Sequence, residues 1–368
     1  MNNSIPTRLA DYVTAVLAAE HGHRRNAVTV FVLALISVQS CCQARLARFI
    51  DNHEAALKRR QRLLRNDGFE DFILAHALFL VARLPRCGLV RVAIDSTSEG
   101  SQHLLVASLV VGRRAVPLRW TAYASDELKG HTHEYERAFL RLLITTVLKD
   151  IDRDRILLTA DRGFGDVETI DELERLKVAF ILRAKGCVTV EIDGWWRKLK
   201  TLSFRRNERR RGWGCVRYCG RSPRKVWLTH ARQRDRNGRW GIWFLVSNRR
   251  LQATTATRED ARRFGCEEGF RDAKRLLGFA DARIGSLRAC ERMVTLVAVA
   301  LAVLTHIGGA LAKKPAPWLE YVLRGVRSRR RGRSELSLVR AVTELLDLDA
   351  SIWDLLDPRA KLNLEAGL

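Results

Sequence analysis

The spacing of apolar residues changes several times along this chain, and each change predicts a different element. Up to about residue 86 the period is helical. Ala27 to Val38 is mostly apolar, Ser37 to Ile50 reads as a turn followed by an amphipathic helix, and Phe72 to Leu84 is a further helix ended by Pro85. From Leu89 the period shortens to two, with Val90, Val92 and Ile94 alternating with Arg91, Ala93 and Asp95. His103 to Gly112 and Ala115 to Ala122 are two more strand-like runs around the turn Gly112-Arg113-Arg114. A three-stranded meander follows, with Asp95 near the end of its first strand. Glu134 to Leu148 is an amphipathic helix. Ile156 to Ala160 is a continuous apolar run, as in strands buried on both faces, and it ends at Asp161 before a glycine turn. Asp166 to Leu176 is the next helix and Ala179 to Arg183 the next strand. The order β-β-β-α-β-α-β predicts an α/β fold with a mixed sheet.

Beyond Cys187 the texture is β-rich again, with strands predicted at Val188 to Ile192, Lys225 to His230 and Trp240 to Val246. Six of the nine tryptophans fall here, together with Arg205, Arg206, Arg209, Arg210 and Arg211. The tryptophans serve either as the core of this region or as a surface. Arg258 to Gly278 then returns to helical spacing. Arg263, Glu267, Arg271 and Lys274 share one predicted face, and Cys266, Phe270, Ala273 and Leu277 share an apolar one. Glu268 lies off the first face and is expected to be neutral to function. Gly265 and Gly269 each cost a helix ~1 kcal/mol relative to alanine, which makes sense where a backbone or ligand comes close. Met293 to Leu311 is almost wholly apolar and long enough for a bilayer. As the one segment of its kind, it reads as a buried central helix. The pattern divides the chain into a helical region (1–88), a first α/β part (89–186), a β-rich insertion (187–250), a second α/β part (251–312) and a helical basic C-terminal region (313–368) after the linker Lys313 to Pro317.

Charge narrows the function. Sixty-five lysines and arginines against 41 acids leave +24, an excess that repels itself unless a polyanion shares the surface. Leu57 to Asn66 holds five cations in ten residues, and Arg324 to Arg333 is a second basic run. Double-stranded DNA is the expected partner, with the N-terminal helices as one DNA-binding face. A membrane surface ranks lower. Eight cysteines without paired CxxC motifs, and an N-terminus without a signal-peptide pattern, fit reduced thiols in a cytoplasm. His131, His133 and Glu134 are weighed as metal ligands against a capping role, which the lack of a completing neighbour favours.

Asp95, Asp161 and Glu267 are acids on three separate elements. Three converging carboxylates can hold two hard divalent cations, as phosphodiester transfer requires. On IDST around Asp95, ADRGFG around Asp161, and RRFGCEEGFRDAKRLLG from Arg262 to Gly278, the sequence resembles the DDE transposases of bacterial insertion sequences, insertion-sequence family four type. Arg263, Glu267 and Lys274 match that family's pattern at the right spacing, and Asp260 stands where it has a tyrosine that helps hold phosphate. The resemblance covers roughly Leu89 to Leu311. It implies a ribonuclease-H-like catalytic core interrupted by a large β insertion. It also implies Mg²⁺ (two ions, with Mn²⁺ as a substitute), a homodimer on paired DNA ends, and cut-and-paste transposition in a bacterial cytoplasm, at the nucleoid. Asp95, Asp161 and Glu267 would be the catalytic metal ligands. Arg263 and Lys274, and less strongly Arg162 and Arg271, would hold phosphates, with Arg209, Arg210 and Arg211 touching DNA from the insertion. The rival readings are a non-catalytic DNA-binding protein derived from a transposase and a stand-alone nuclease with the same core.

Overall fold

The alternating apolar residues after Leu89 form strand β1 (Val90–Glu99), which pairs antiparallel with β2 (Gln102–Val111), itself antiparallel to β3 (Arg114–Ala124). This is the predicted meander. The computed structural model of the chain describes residues 5–50, 58, 69–99, 102–112, 114–234, 240–313, 338–362 and 364. β4 (Ile156–Ala160) is buried at every position and lies parallel to β1. β5 (Ala179–Ala184) lies parallel to β4. The register sets Ile94 beside Ala160 and Ala160 beside Leu182. The next residue on each chain is Asp95, Asp161 and Arg183. Three charged side chains thus line up where the parallel pairing of β1, β4 and β5 ends; β1 itself runs on to Glu99 against β2, so Asp95 sits in mid-strand and not, as expected, near the strand's end.

The β-rich stretch after Cys187 continues this sheet. It supplies β6 (Thr189–Ile192), β7 (Trp195–Lys198), β8 (Arg210–Tyr218), β9 (Arg224–Arg234) and β10 (Trp240–Ser247). β10 runs antiparallel to β5, which gives one ten-stranded sheet in the order β3-β2-β1-β4-β5-β10-β9-β8-β6-β7. The sequence reading missed β7 and β8. β8 is written in arginine and glycine, and its pairing with β9 shifts register between Gly212 and Gly214. Cross-strand partners make it a strand where its own propensity does not.

Helices cover the sheet. α1 (Thr7–Val16), α2 (Gly22–Val38), α3 (Gln43–Phe49) and α4 (Phe69–Val81) precede it. α5 (Thr132–Leu142) and α6 (Val167–Arg175) lie between strands, and α7 (Ala253–Arg271), α8 (Leu287–Leu311) and α9 (Leu338–Leu348) follow. α8 is the one described helix long and apolar enough to cross a membrane, and 89% of its apolar window is buried. It packs on α2, α4, α9 and β3, which is the behaviour of a central core helix. Phe31 of α2, Phe72 of α4 and Leu158 of β4 belong to the same apolar core as α8. The basic stretch Leu57 to Asn66 lies outside the described residues except for Lys58. The linker beyond Lys313, the run Arg324 to Arg333, and Arg113 of the β2–β3 turn also lie outside them.

One contact fixes the N-terminal helices to the segment that follows α7. Gly278 has φ +66°, and a Cβ there would lie 2.7 Å from the Ser40 Cα and 3.1 Å from the Gln39 carbonyl oxygen. The Cys41 amide donates to the Gly278 carbonyl at 3.3 Å, and the Cys41 thiol donates to that of Leu277 at 3.1 Å. Gly278→Ala therefore meets backbone on one side and left-handed strain on the other. It is expected to cost about 1–3 kcal/mol, read as a lower urea midpoint. A change within about 0.5 kcal/mol, the range of a neutral surface substitution, would contradict this packing.

Candidate active site

α7 has no proline and no strong propensity signal, and its inward face is charged. Glu259, Asp260 and Arg263 are all buried on it. Each has a partner on the sheet. Arg91 of β1 donates to Glu259 at 2.6 Å, Arg183 of β5 donates to Asp260 at 2.9–3.1 Å, and Arg263 donates to Asp95 of β1 at 2.9 Å. Farther along, Cys266 packs on Ala93, Val110 and Ala115. A Cβ on Gly269 would come within 3.0 Å of the Ala115 carbonyl oxygen, so at this glycine the close approach is by β3. After Arg271 the helix opens into a π-turn, Asp272–Leu276.

Arg263 is the centre of the site. Its side chain is 1% exposed. Nη1 donates to Asp95 Oδ2 at 2.9 Å, Nη2 to Glu267 Oε1 at 3.4 Å, and Nη2 stands 3.8 Å from Asp161 Oδ1. The three acids thus meet on one guanidinium. Asp161 and Glu267 remain open to solvent at 38% and 37% exposure. Burial pushes the Asp95 carboxyl above its ordinary range, opposed by the Arg263 charge and by the Ser96 amide that donates to it. Burial works against the Arg263 charge as well, but Asp95, Asp260, Asp161 and Glu267 outweigh it and raise the guanidinium pKa.

The other sequence-selected residues do not join this cluster on Arg263. Arg162 is exposed beside Asp161. The π-turn takes Lys274 out of the α-helical phase that put it on the Arg263–Glu267 face, and its ammonium donates to the Ser98 carbonyl at 2.7 Å. Arg271 pairs with Glu268, and Arg114 of β3 reaches Glu268 at 3.1 Å and Asp272 at 3.3 Å. Glu268 is therefore a partly buried anion held between two arginines. Arg209, Arg210 and Arg211 sit at the start of β8, three strands from β5 and so ~14 Å away at normal strand spacing. Arg211 stacks on Trp213 at 3.8 Å, and Arg209 lies 5.7 Å from the Trp240 ring. Trp195 is 72% exposed, and Trp196, Trp240 and Ile242 are also on the surface. These side chains form a surface rather than a core.

Sequence reasoning missed Arg183, whose Nη1 stands 3.6 Å from Asp161 Oδ1 and whose guanidinium stacks on Trp243 at 3.7 Å. A cation ending a buried apolar strand next to the Asp161 strand was the available signal. It also missed how the loop after Asp161 is held. A Cβ on Gly165 would lie 2.5 Å from the Arg183 carbonyl oxygen, and the Tyr218 hydroxyl of β8 donates to the Gly165 carbonyl at 2.6 Å. Nearby, His133 Nδ1 stands 3.0 Å from Glu136 Oε2 and 3.3 Å from Asp166 Oδ2. These ligand atoms lie within 4.8 Å of one another, a set of metal-binding type. Asp166 also caps α6 through the Thr169 amide and hydroxyl. His131 pairs with exposed Glu134, at 3.4 Å.

The arrangement makes Arg263 a structural counter-ion. Arg263→Met removes it and leaves three carboxylates facing one another. The expected cost is about 3–5 kcal/mol, the range for breaking a buried ion pair on one side. Denaturant unfolding in a chelator measures it, and a loss under about 1 kcal/mol, typical of a surface pair, would contradict the burial described.

No curated protein matches this chain. Residues 131–303, a little under half of it, match the family described as the Transposase DDE domain. The matched stretch takes in Asp161, Arg183, Arg263 and Glu267, with Asp95 ahead of it on β1, and the match supports a DDE transposase.

Proposed function

We propose that this chain is a transposase of insertion-sequence family four type, with a ribonuclease-H-like core that cleaves and rejoins double-stranded DNA at the ends of an insertion sequence. The observation that carries the reading is the convergence of Asp95, Asp161 and Glu267 on Arg263 from two strands and a helix. The donor set fits magnesium. It is all carboxylate oxygen, the hard ligand type that Mg²⁺ and Mn²⁺ take. The three negative charges face one Arg263, while the Arg183 charge is matched by Asp260. A divalent cation between the three carboxylates would add its charge to that of Arg263. Asp95, Asp161 and Glu267 would hold divalent ions, which would supply activation of an attacking oxygen and stabilisation of a leaving one in phosphodiester transfer.

The chain's own residues do the rest. Asp161 and Glu267 are the open ligands, and Asp95 is the more buried one. Arg263 holds the three in register by charge, so we assign it to organising the carboxylates rather than to gripping phosphate. Arg162, exposed beside Asp161, supplies a cation toward the DNA backbone, with Arg271 and Lys274, farther along the segment after Glu267, as further phosphate contacts. Arg209, Arg210 and Arg211, with the exposed Trp195, Trp196 and Trp240, form a second DNA contact. There guanidiniums meet phosphates and indoles stack on unpaired bases. The working unit on paired ends is a homodimer.

Mg²⁺-dependent nicking of a labelled end fragment tests this. Asp95→Asn, Asp161→Asn and Glu267→Gln are each expected to lower nicking by roughly two or more orders of magnitude, as for removal of a group essential to metal-ion chemistry, with DNA affinity retained. The exposed Glu168→Gln serves as the control and is expected to nick like the parent. Parental nicking by Glu267→Gln would overturn the metal-ligand assignment. DNA affinity without any nicking by the parent would favour the non-catalytic reading.

A second prediction concerns the insertion. Replacing Arg209, Arg210 and Arg211 by alanine is expected to leave the melting temperature nearly unchanged, because Arg209 and Arg210 are exposed. DNA binding should weaken, and the slope of log affinity against log salt should become shallower by about one to three. An unchanged slope would remove this surface from the DNA contact.

A further inference from the structure

We propose that Asp260 is a built-in counter-charge that keeps Arg183 off Asp161 and so leaves the Asp161 carboxylate open to a divalent cation. The inference rests on the reading of Asp161 as an ion ligand. Asp260 stands where the resemblance expects a phosphate-holding tyrosine. A carboxylate repels phosphate, and this one is 0% exposed, so the position has another use here. Both of its oxygens accept from Arg183. Nε donates to Oδ1 at 3.0 Å and to Oδ2 at 3.1 Å, and Nη2 donates to Oδ2 at 2.9 Å. The remaining nitrogen, Nη1, stands 3.6 Å from Asp161 Oδ1, which is beyond hydrogen-bond contact. Trp243 lies 3.7 Å beneath the guanidinium and closes off one side of it. Arg183 is thus a fixed fork between a buried acid that holds it and an open acid that it only approaches.

The physical consequence concerns competition. Arg183 sits opposite Asp161 across the β4–β5 register, where an uncompensated cation would pair with that carboxylate and oppose a metal ion. Asp260 takes up that charge in a bidentate pair, the strongest geometry open to arginine. A neutral phenol at this position would leave the charge to Asp161. Asp260 is buried and is a positioning residue: it acts through Arg183, which it holds in a bidentate pair, and adds to the negative field on Arg263.

Calorimetric titration of the DNA-free full chain with Mn²⁺ tests the proposal without reference to activity. Asp260→Asn is expected to weaken Mn²⁺ binding by roughly tenfold, as one charge shifting by a few ångströms in a half-buried site implies. The double variant Asp260→Asn/Arg183→Gln, uncharged at both positions, is expected to return to within about twofold of the parent. Parental affinity in Asp260→Asn, or a double variant as weak as the single, overturns the inference. If Asp260→Asn does not fold, the double variant alone decides: affinity near or above the parent supports the counter-charge role, and a tenfold loss contradicts it. Asp161→Asn separates the two levels. Unchanged Mn²⁺ binding there means that the ion-ligand reading has failed. Lost binding there, with parental binding in Asp260→Asn, rejects the counter-charge alone.

Discussion

Burying charge against charge is the constraint on which this structure depends. The helix that carries Glu267 does not dock by a greasy stripe alone. Glu259, Asp260 and Arg263 face the sheet and find Arg91, Arg183 and Asp95 there. A buried charge without its partner costs several kcal/mol, so only one rotation and one axial position of the helix are tolerable. The arrangement that satisfies these pairs also delivers Glu267 to Asp95 and Asp161. Specificity of docking and assembly of the site are one electrostatic event.

The sheet fixes the other half of the geometry. Parallel pairing of β1, β4 and β5 brings residues distant in sequence to one edge, with Asp95, Asp161 and Arg183 one step beyond paired apolar residues. Continuation through β10 to β7 makes the β-rich stretch after Cys187 part of the same sheet. Trp243 of β10 and Tyr218 of β8 therefore reach back, one to the Arg183 guanidinium and the other to the Gly165 carbonyl.

Much of this was legible in the sequence, for physical reasons that can be named. Period-two alternation located the meander, and the unbroken apolar run Ile156 to Ala160 located β4 with its terminal acid. The buried central helix followed from a lone long apolar segment. The glycine at 269 announced a close backbone. Other features left no periodic trace. β8 is a strand through its partners, not its composition. The π-turn after Arg271, which carries Lys274, is another such feature. Glu259, Asp260 and Arg263 look like a solvated helix surface, because periodicity cannot show that opposite charges wait on the sheet. Arg183 belongs to the same class. Its meaning lies in the register with Asp161, which only the paired strands define.

The claim that one buried guanidinium gathers the three carboxylates is tested most directly by a double-mutant cycle. Asp95→Asn, Arg263→Met and the combination would be unfolded by denaturant in a chelator. A hydrogen-bonded buried ion pair predicts strong non-additivity, with a coupling energy of about 1.5–3 kcal/mol. Losses that add to within about 0.5 kcal/mol, as independent sites do, would contradict it.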